Sequence, residues 1–320
     1  MENAPMKNSS NPLVSICVTS YNHAQYVLET LDSLWNQNYK PIEIVIVDDH
    51  SQDNSDEVIA SWVKRHEPLC DSAERVLKYI YQNENRGVCH TLNTAIKNSN
   101  GVYISTIGSD DIYLLDKISE QVKLLESADE GVGMLTSAIE FIDEQGNYMN
   151  KPDDFAVSHP ENIFIPLLER CFIAAMSTLV RRSCYEKVGL FDEKLPFEDW
   201  DMWLRIAKEY RILYSPKVSA LYRRHSASSF ETRKRQDQEG SLMLLNKHRG
   251  FSPEADHIIK AQTRLRSELL YQIGSPQAAH WLRVRWQDDH SLISWGLYMC
   301  AKLGIPGKSV MKAQRLLGRR

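Results

Sequence analysis

The chain has 320 residues, of which 42% are hydrophobic and 25% charged, and its formal net charge is −4. That composition is ordinary for a soluble globular protein, and the length suits one large domain or a domain with an appendage. The charge gives no global attraction to nucleic acid or to an anionic membrane, and no uninterrupted apolar run reaches the roughly 20 residues of a spanning helix.

The first eleven residues, Met1 to Asn11, are polar and lack the apolar core of a signal peptide. They read as a disordered leader. The six cysteines, Cys17, Cys70, Cys89, Cys171, Cys184 and Cys300, form no C-x-x-C pair, so a zinc-ribbon or redox motif has no support. Several lie in apolar runs, where a reduced thiol fills core space. A cytosolic location fits.

From Leu13 the chain alternates strand and helix signals. Leu13 to Val18 is a short apolar strand. Asn22 offers an N-cap to a helix with Tyr26, Val27, Leu31, Leu34 and Trp35 at helical spacing. Pro41 breaks the chain, and Ile42 to Val47 is a second strand ending in Asp48-Asp49. Ser55 can cap a helix carrying Val58, Ile59, Trp62 and Val63. Val76 to Tyr81 is a third strand, Gly87 opens a third helix, and Val102 to Ile107 is a fourth strand ending in Gly108-Ser109-Asp110-Asp111. A helix with Ile118, Val122 and Leu125 on one face follows. This alternation predicts an α/β fold with a largely parallel sheet covered on both faces.

Beyond Gly131 the pattern is mixed. Val132 to Ile142 reads as a strand, Gln145-Gly146-Asn147 as a turn and Trp200 to Tyr210 as a helix. The tail reads as helical. Ser252-Pro253 and Ser275-Pro276 each look like an N-cap followed by proline at the first helical position, with Gly274 ending the helix between them. The expected organisation is the leader, a catalytic domain over 12–235 and a helical region over 236–320.

In open parallel sheets, ligands bind at the carboxyl ends of the strands. Three polar clusters fall there: Thr19-Ser20-Tyr21-Asn22, Asp48-Asp49-His50-Ser51 and Ser109-Asp110-Asp111. Each alone is also good turn material. Their recurrence at three strand ends is what marks a site.

These segments resemble family 2 glycosyltransferases. The match runs in order through Val14-Ser15-Ile16 with Tyr21-Asn22, Ile46 to Ser51 with Asp53, and Asn85-Arg86-Gly87 with Asn93. It continues through Gly101 to Ile104, Ser109-Asp110-Asp111, and Phe197-Glu198-Asp199-Trp200-Asp201 with Trp203-Leu204-Arg205. It covers about residues 12 to 226. The resemblance implies a GT-A fold, a nucleotide-sugar donor (UDP-sugar first), a divalent metal (Mn²⁺ or Mg²⁺) and an inverting transfer. It implies Asp110 and Asp111 as metal ligands with His225 joining them, since a hard cation held by carboxylates neutralises a diphosphate leaving group. Their other reading is a helix N-cap before Ile112. Thr19, Tyr21, Asn22, Asp48, Asp49, Arg86, Asn93, Ser109 and Arg224 are implied around the nucleotide sugar, and Arg223 adds positive charge suited to phosphate. Asp199 is implied as the base that takes the acceptor hydroxyl proton, with Glu198 beside it; both also suit a helix start. One departure stands out: Gly108 occupies the place of the first Asp of the usual D-x-D.

Ser291 to Arg320 contains no Asp or Glu, and carries Lys302, Lys308, Lys312, Arg315, Arg319 and Arg320 behind an apolar stretch. This suits a membrane interface or a helix packed on the catalytic domain. The resemblance implies transfer of a hexose or N-acetylhexosamine to a hydroxyl of a glycan, lipid-linked if the membrane reading holds, in assembly of a surface polysaccharide (O-antigen, capsule or exopolysaccharide). Transfer to a polyprenyl phosphate and a non-catalytic nucleotide-sugar-binding role are the alternatives. A nicotinamide-dependent dehydrogenase would need G-x-G-x-x-G after the first strand, and Thr19 to Asn22 is not that.

Overall fold

The computed structural model describes residues 11–71, 74–150, 163–225 and 234–317. Residues 1–10 of the expected leader, and Arg319 and Arg320, lie outside them. Two compact units are present. The first holds the described residues up to 150 together with Phe172–Glu193 and Glu198–His225; the second holds Ile163–Cys171, Lys194–Phe197 and the described residues from 234 onward.

The first unit is built on a mixed sheet. β1 (Val14–Ser20), β2 (Ile42–Asp48), β3 (Arg75–Tyr81) and β4 (Tyr103–Gly108) are mutually parallel in the order β3-β2-β1-β4. The sheet continues through β8 (Thr178–Arg181), β6 (Val132–Ile142), β9 (Arg211–Arg223) and β5 (Ile112–Tyr113), with β7 (Tyr148–Met149) on β6. β8 runs antiparallel to β4 and β6, whereas β6 and β9 are parallel.

Both faces of the parallel part are covered, as the alternation predicts. Val14, Ile16 and Val18 of β1 and Ile42, Ile44 and Ile46 of β2 share a core with Val27, Leu31 and Leu34 of α1 (Val27–Trp35) and Ile59 and Trp62 of α2 (Ser55–His66). Each such side chain, fully buried, contributes about 1.5–3 kcal/mol. The other face packs on α3 (Val88–Lys97). There the Glu43 carboxylate is buried and accepts from Ser15 Oγ at 2.6 Å, Lys78 Nζ at 2.6 Å and Asn100 N at 2.7 Å, tying β1, β2, β3 and the approach to β4. Gly101 must be glycine here, because a Cβ would lie 2.5 Å from the Ser15 nitrogen.

Several local expectations are corrected. Asn22 is no N-cap: its φ is +57°, its side-chain oxygen accepts from Gln52 N, and α1 begins after Tyr26. Ser55 is the first residue of α2 rather than its cap, and its N–H and hydroxyl donate to Asp53 Oδ1. Asp110 and Asp111 cap no helix, since β5 intervenes and α4 (Lys117–Ser127) begins after Asp116. α5 (Phe164–Glu169), α6 (Arg182–Val188) and α7 (Asp199–Glu209) follow.

The second unit is helical, with α5 followed by α8 (Lys234–Lys247), α9 (Pro253–Gln272), α10 (Ala278–Asp289), α11 (Leu292–Lys302) and α12 (Gly307–Leu317). Leu242, Leu270, Tyr271, Trp281, Leu282 and Leu297 form its core. Ser252 caps α9 through Ala255 N with Pro253 behind it, as read from the sequence. Ser275 instead accepts from the N–H of Gln277, the residue just before α10, so Pro276 lies outside that helix. No helix among the described residues is long and apolar enough to cross a membrane.

Lys117 is a buried amine in the first unit. Its Nζ donates to Ser105 Oγ (2.9 Å), Gln121 Oε1 (2.7 Å) and the Thr178 carbonyl (3.1 Å), and it lies 4.3 Å from the Tyr113 ring centre. Burial pushes its pKa well below the usual lysine value. The unfolded chain therefore binds this proton more tightly than the folded one, so stability from this group rises with pH up to the unfolded value, about 10.4. Chemical denaturation of the native protein and Lys117→Met should show the native protein gaining relative stability between about pH 8 and pH 10. Parallel pH profiles would show that the amine carries no such penalty.

Candidate active site

The parallel register sets the site. Ser20 pairs with Asp48 and Thr19 with Gly108, so β1, β2 and β4 end at one level and release their loops onto one rim. Thr19 is half-buried in that row, while Tyr21 and Asn22 are exposed beyond it. Asn22 N donates to Ser51 Oγ at 2.9 Å, and Ala24 N to Asp53 Oδ2 at 3.1 Å, which stitches the first loop to the second.

The two acids after β2 act on loops. Asp48 is buried and accepts from Ser51 N at 2.7 Å and Ser51 Oγ at 2.8 Å. Burial raises its pKa against those bonds. Asp49 accepts from Arg86 N and Gly87 N, both at 2.8 Å, and from Gln82 Nε2 at 3.1 Å. It thereby sets the entry to α3, where Gly87 has φ +84°. The Arg86 guanidinium lies 3.8 Å from Glu193. Asn93 closes a two-way clamp on the Phe191 backbone, at 2.9 Å each way, and also donates to Glu193. Its side chain is thus committed to protein groups, unlike the nucleotide contact expected for it.

After β4 the loop meets the end of β9. His225 Nε2 lies 3.0 Å from Asp110 Oδ2, although 115 residues separate them. His23, which the sequence reading passed over, places its own Nε2 3.8 Å from the same oxygen. His23, Asp110 and His225 offer three donor atoms within 4.8 Å of one another, a set able to hold a metal ion. Asp111 stands outside that set: it is buried and its Oδ1 accepts from Arg223 N at 2.9 Å. Burial works against ionisation of Asp110, but the His225 hydrogen bond and the nearby His23 imidazole outweigh it and hold the carboxyl below its usual range. Burial and then the Asp110 charge push Asp111 well above that range.

Arg223 was expected to suit phosphate, and the structure gives it another task. Its side chain is 2% exposed. Nε donates to the Asp110 carbonyl at 2.9 Å, Nη1 to the Asp143 carbonyl at 3.2 Å and Nη2 to Glu29 Oε2 at 2.5 Å, while the guanidinium sits 4.9 Å from the Tyr26 ring centre. Arg224 keeps its guanidinium 5.9 Å from the Tyr222 ring centre.

Glu198 and Asp199 stand at the start of α7, where helix dipole and acid agree. They belong to the same electrostatic neighbourhood as the strand ends: Glu198 adds to the upward push on Asp111, and Asp199, behind Asp111 and Asp110, to that on the Tyr222 hydroxyl. Asp201, two residues on, instead accepts from Arg205 Nε at 2.9 Å, and Arg205 holds the carbonyls of Val188, Gly189 and Leu190.

A parallel half-sheet with a polar rim of this kind is a ligand-binding edge, and the chain's relatives give its class. The chain belongs to glycosyl transferase family 2, whose model matches residues 15–189. An uncharacterized glycosyltransferase of Rickettsia prowazekii is 32% identical over 236 residues, 73% of this chain and 70% of that protein. The UDP-Glc:alpha-D-GlcNAc-diphosphoundecaprenol beta-1,3-glucosyltransferase WfaP of Escherichia coli is 30% identical over 225 residues, 68% of this chain and 79% of that protein. Among solved structures, S. aureus TarS 1-349 superposes with a TM-score of 0.60 at 18% identity, covering 87% of this chain and 80% of that one. Mannosyltransferase PcManGT from Pyrobaculum calidifontis gives 0.57 at 22% identity, covering 98% and 86%. The fold is the GT-A type, and the protein is a glycosyltransferase.

Removing the Arg223 side chain takes the donor from the Asp110 and Asp143 carbonyls and from the Glu29 carboxylate, and empties a buried site. Arg223→Ala should lose about 3 kcal/mol in urea unfolding, the scale of a hydrogen bond to a charged group plus an unmet acceptor. A loss under about 0.5 kcal/mol, the usual range of surface substitutions, would show the clamp to be idle.

Proposed function

We propose that the first unit transfers a hexose or N-acetylhexosamine, with inversion, from a UDP-sugar to a hydroxyl of a lipid-linked glycan in surface-polysaccharide assembly. The observation that carries this is the pairing of Asp110 with His225 at the strand-end rim, within electrostatic reach of the acids that open α7. Relatives support the ligand classes: a TarS structure contains UDP-GlcNAc, the PcManGT structure contains GDP-Man and Mn²⁺, and the name of WfaP describes a glucosyltransferase acting on a diphosphoundecaprenol acceptor.

The residue roles follow from chemistry. Asp110 and His225 would hold a divalent cation, which when bound neutralises charge on the donor diphosphate. Thr19, Tyr21, Asn22, Asp48, Asp49, Ser109 and Arg224 border the donor, and Arg86 flanks its entry. Asp199 takes the proton of the acceptor hydroxyl. The oxygen attacks the anomeric carbon opposite the diphosphate, the bond from that carbon to the phosphate oxygen breaks, and UDP leaves with the electron pair. Glu198 orients the acceptor.

The lipid part of the reading rests on the second unit. Leu292, Ile293 and Trp295 of α11 are 86%, 62% and 47% exposed, with Leu303 and Ile305 also exposed just beyond. Lys302, Lys308 and Lys312 are exposed in the same stretch. Apolar groups beside lysines suit an anionic lipid surface.

Two measurements test the proposal. Calorimetry should show UDP binding that requires Mn²⁺ and is lost in Asp110→Ala; failure of UDP with and without Mn²⁺ would reject it as the leaving nucleotide. The native protein should sediment with anionic phospholipid vesicles, and Leu292→Ser with Ile293→Ser should reduce the bound fraction several-fold. Equal sedimentation of both forms would remove this surface from the lipid reading.

A further inference from the structure

We propose that His23 is a third protein ligand of the divalent cation, standing in for the carboxylate that Gly108 lacks, and that the resulting two-imidazole, one-carboxylate set prefers Mn²⁺ or Co²⁺ to Mg²⁺. This rests on the reading of Asp110 and His225 as metal ligands.

Three features of the structure meet at this point. The first is distance. His23 Nε2 is 3.8 Å from Asp110 Oδ2, too far for a hydrogen bond, whereas His225 Nε2 is 3.0 Å from the same oxygen. Donors about 2.1 Å from one octahedral ion lie between about 3 Å and about 4.2 Å apart, according to whether they are adjacent or opposite. The His225 separation matches adjacent positions, and the His23 separation lies between the adjacent and opposite values.

The second is orientation. His23 Nδ1 lies 2.9 Å from Ser109 Oγ, and Ser109 is fully buried. With Nδ1–H donating to that hydroxyl, Nε2 keeps its lone pair on the side of Asp110, the arrangement that metal-bound imidazoles use. The backbone is fixed as well. His23 N donates to Ser55 Oγ at 3.0 Å, and its carbonyl accepts from Tyr26 N and Val27 N. The ring also packs edge-on against His225, with centres 5.5 Å apart.

The third is space. A Cβ at Gly108 would lie 2.7 Å from Asp110 Oδ1. A side chain at 108 would make the Asp110 carboxylate shift from its present position. The rotamer that turns Oδ2 to both histidines is thus unhindered with glycine at 108. Exchanging a carboxylate for an imidazole makes the set richer in nitrogen, which favours borderline transition ions over the hard Mg²⁺.

The test is Mn²⁺ binding by the full chain, read from the loss of the free-ion EPR signal, with pulsed EPR of the bound ion to detect imidazole nitrogen. The native protein should bind Mn²⁺ at least tenfold more tightly than Mg²⁺, measured by competition, and show coupling to nitrogen from two imidazoles. His23→Ala and His23→Gln should bind Mn²⁺ tenfold or more weakly and lose one imidazole coupling, and Ser109→Ala should weaken binding by a similar factor. Unchanged melting temperatures keep these losses distinct from unfolding. Native-like affinity and two imidazole couplings in both His23 variants, with binding still lost in Asp110→Asn, would overturn the role of His23 and leave the Asp110–His225 site standing. No Mn²⁺ binding by the native protein, with or without UDP, would overturn both.

Discussion

Arg223 enters the rim from the last strand of the sheet, and its guanidinium ends among groups supplied by the first half of the chain. A cation that is 2% exposed is tolerated only when its donors are met and its charge is answered. Here the Asp110 carbonyl, the Asp143 carbonyl, the Glu29 carboxylate and the Tyr26 ring do so together. The backbone N–H of the same residue holds Asp111. One residue thus fixes the peptide of Asp110 and the side chain of Asp111, and it ends the strand from which His225 emerges two residues later. The geometry of the acidic loop depends on a strand that is a hundred residues away in sequence.

The loops after β1 and β2 follow the same economy of parts. Asp48 and Asp49 look from the sequence like free acids on a rim. In the structure they first satisfy backbone N–H groups of Ser51, Arg86 and Gly87. Their carboxylates give the rim its shape, and a donor nucleotide would meet an edge already rigid. Asn93 extends the pattern, because its amide is spent on Phe191 and Glu193.

Much of this was legible in the order of residues. Runs such as Ile42 to Val47, short and rich in β-branched residues, read as strands buried on both faces, and the polar residues that end them mark the ligand edge. What escaped reading depended on pairings between distant segments. Tiny β5 carries no periodic signal of its own and exists because β9 pairs with it, so Asp110 and Asp111 looked able to cap a helix that begins only after Asp116. Asn22 reads as a cap because caps and left-handed turns draw on the same residue types. His23 gave no signal, since a histidine next to Asn22 gains meaning only when Ser109 and Asp110 arrive beside it. Arg223 looked like a phosphate binder because sequence shows charge but not burial.

The division of the chain into units also bears on how the protein can be cut. The path between units is crossed after residues 162, 171, 193, 197 and 225. Within the second unit the inserted pieces are structural: the Phe164 ring packs at a tilt against Phe251, the Glu169 carbonyl accepts from Gln262, and Gly240 has room only for a hydrogen beside Pro196. A truncated gene ending near residue 225 would leave two apolar ribbons, 163–171 and 194–197, stripped of their cover inside the remaining polypeptide. The helical unit is accordingly no detachable cassette, and swapping it between relatives requires three splice segments rather than one.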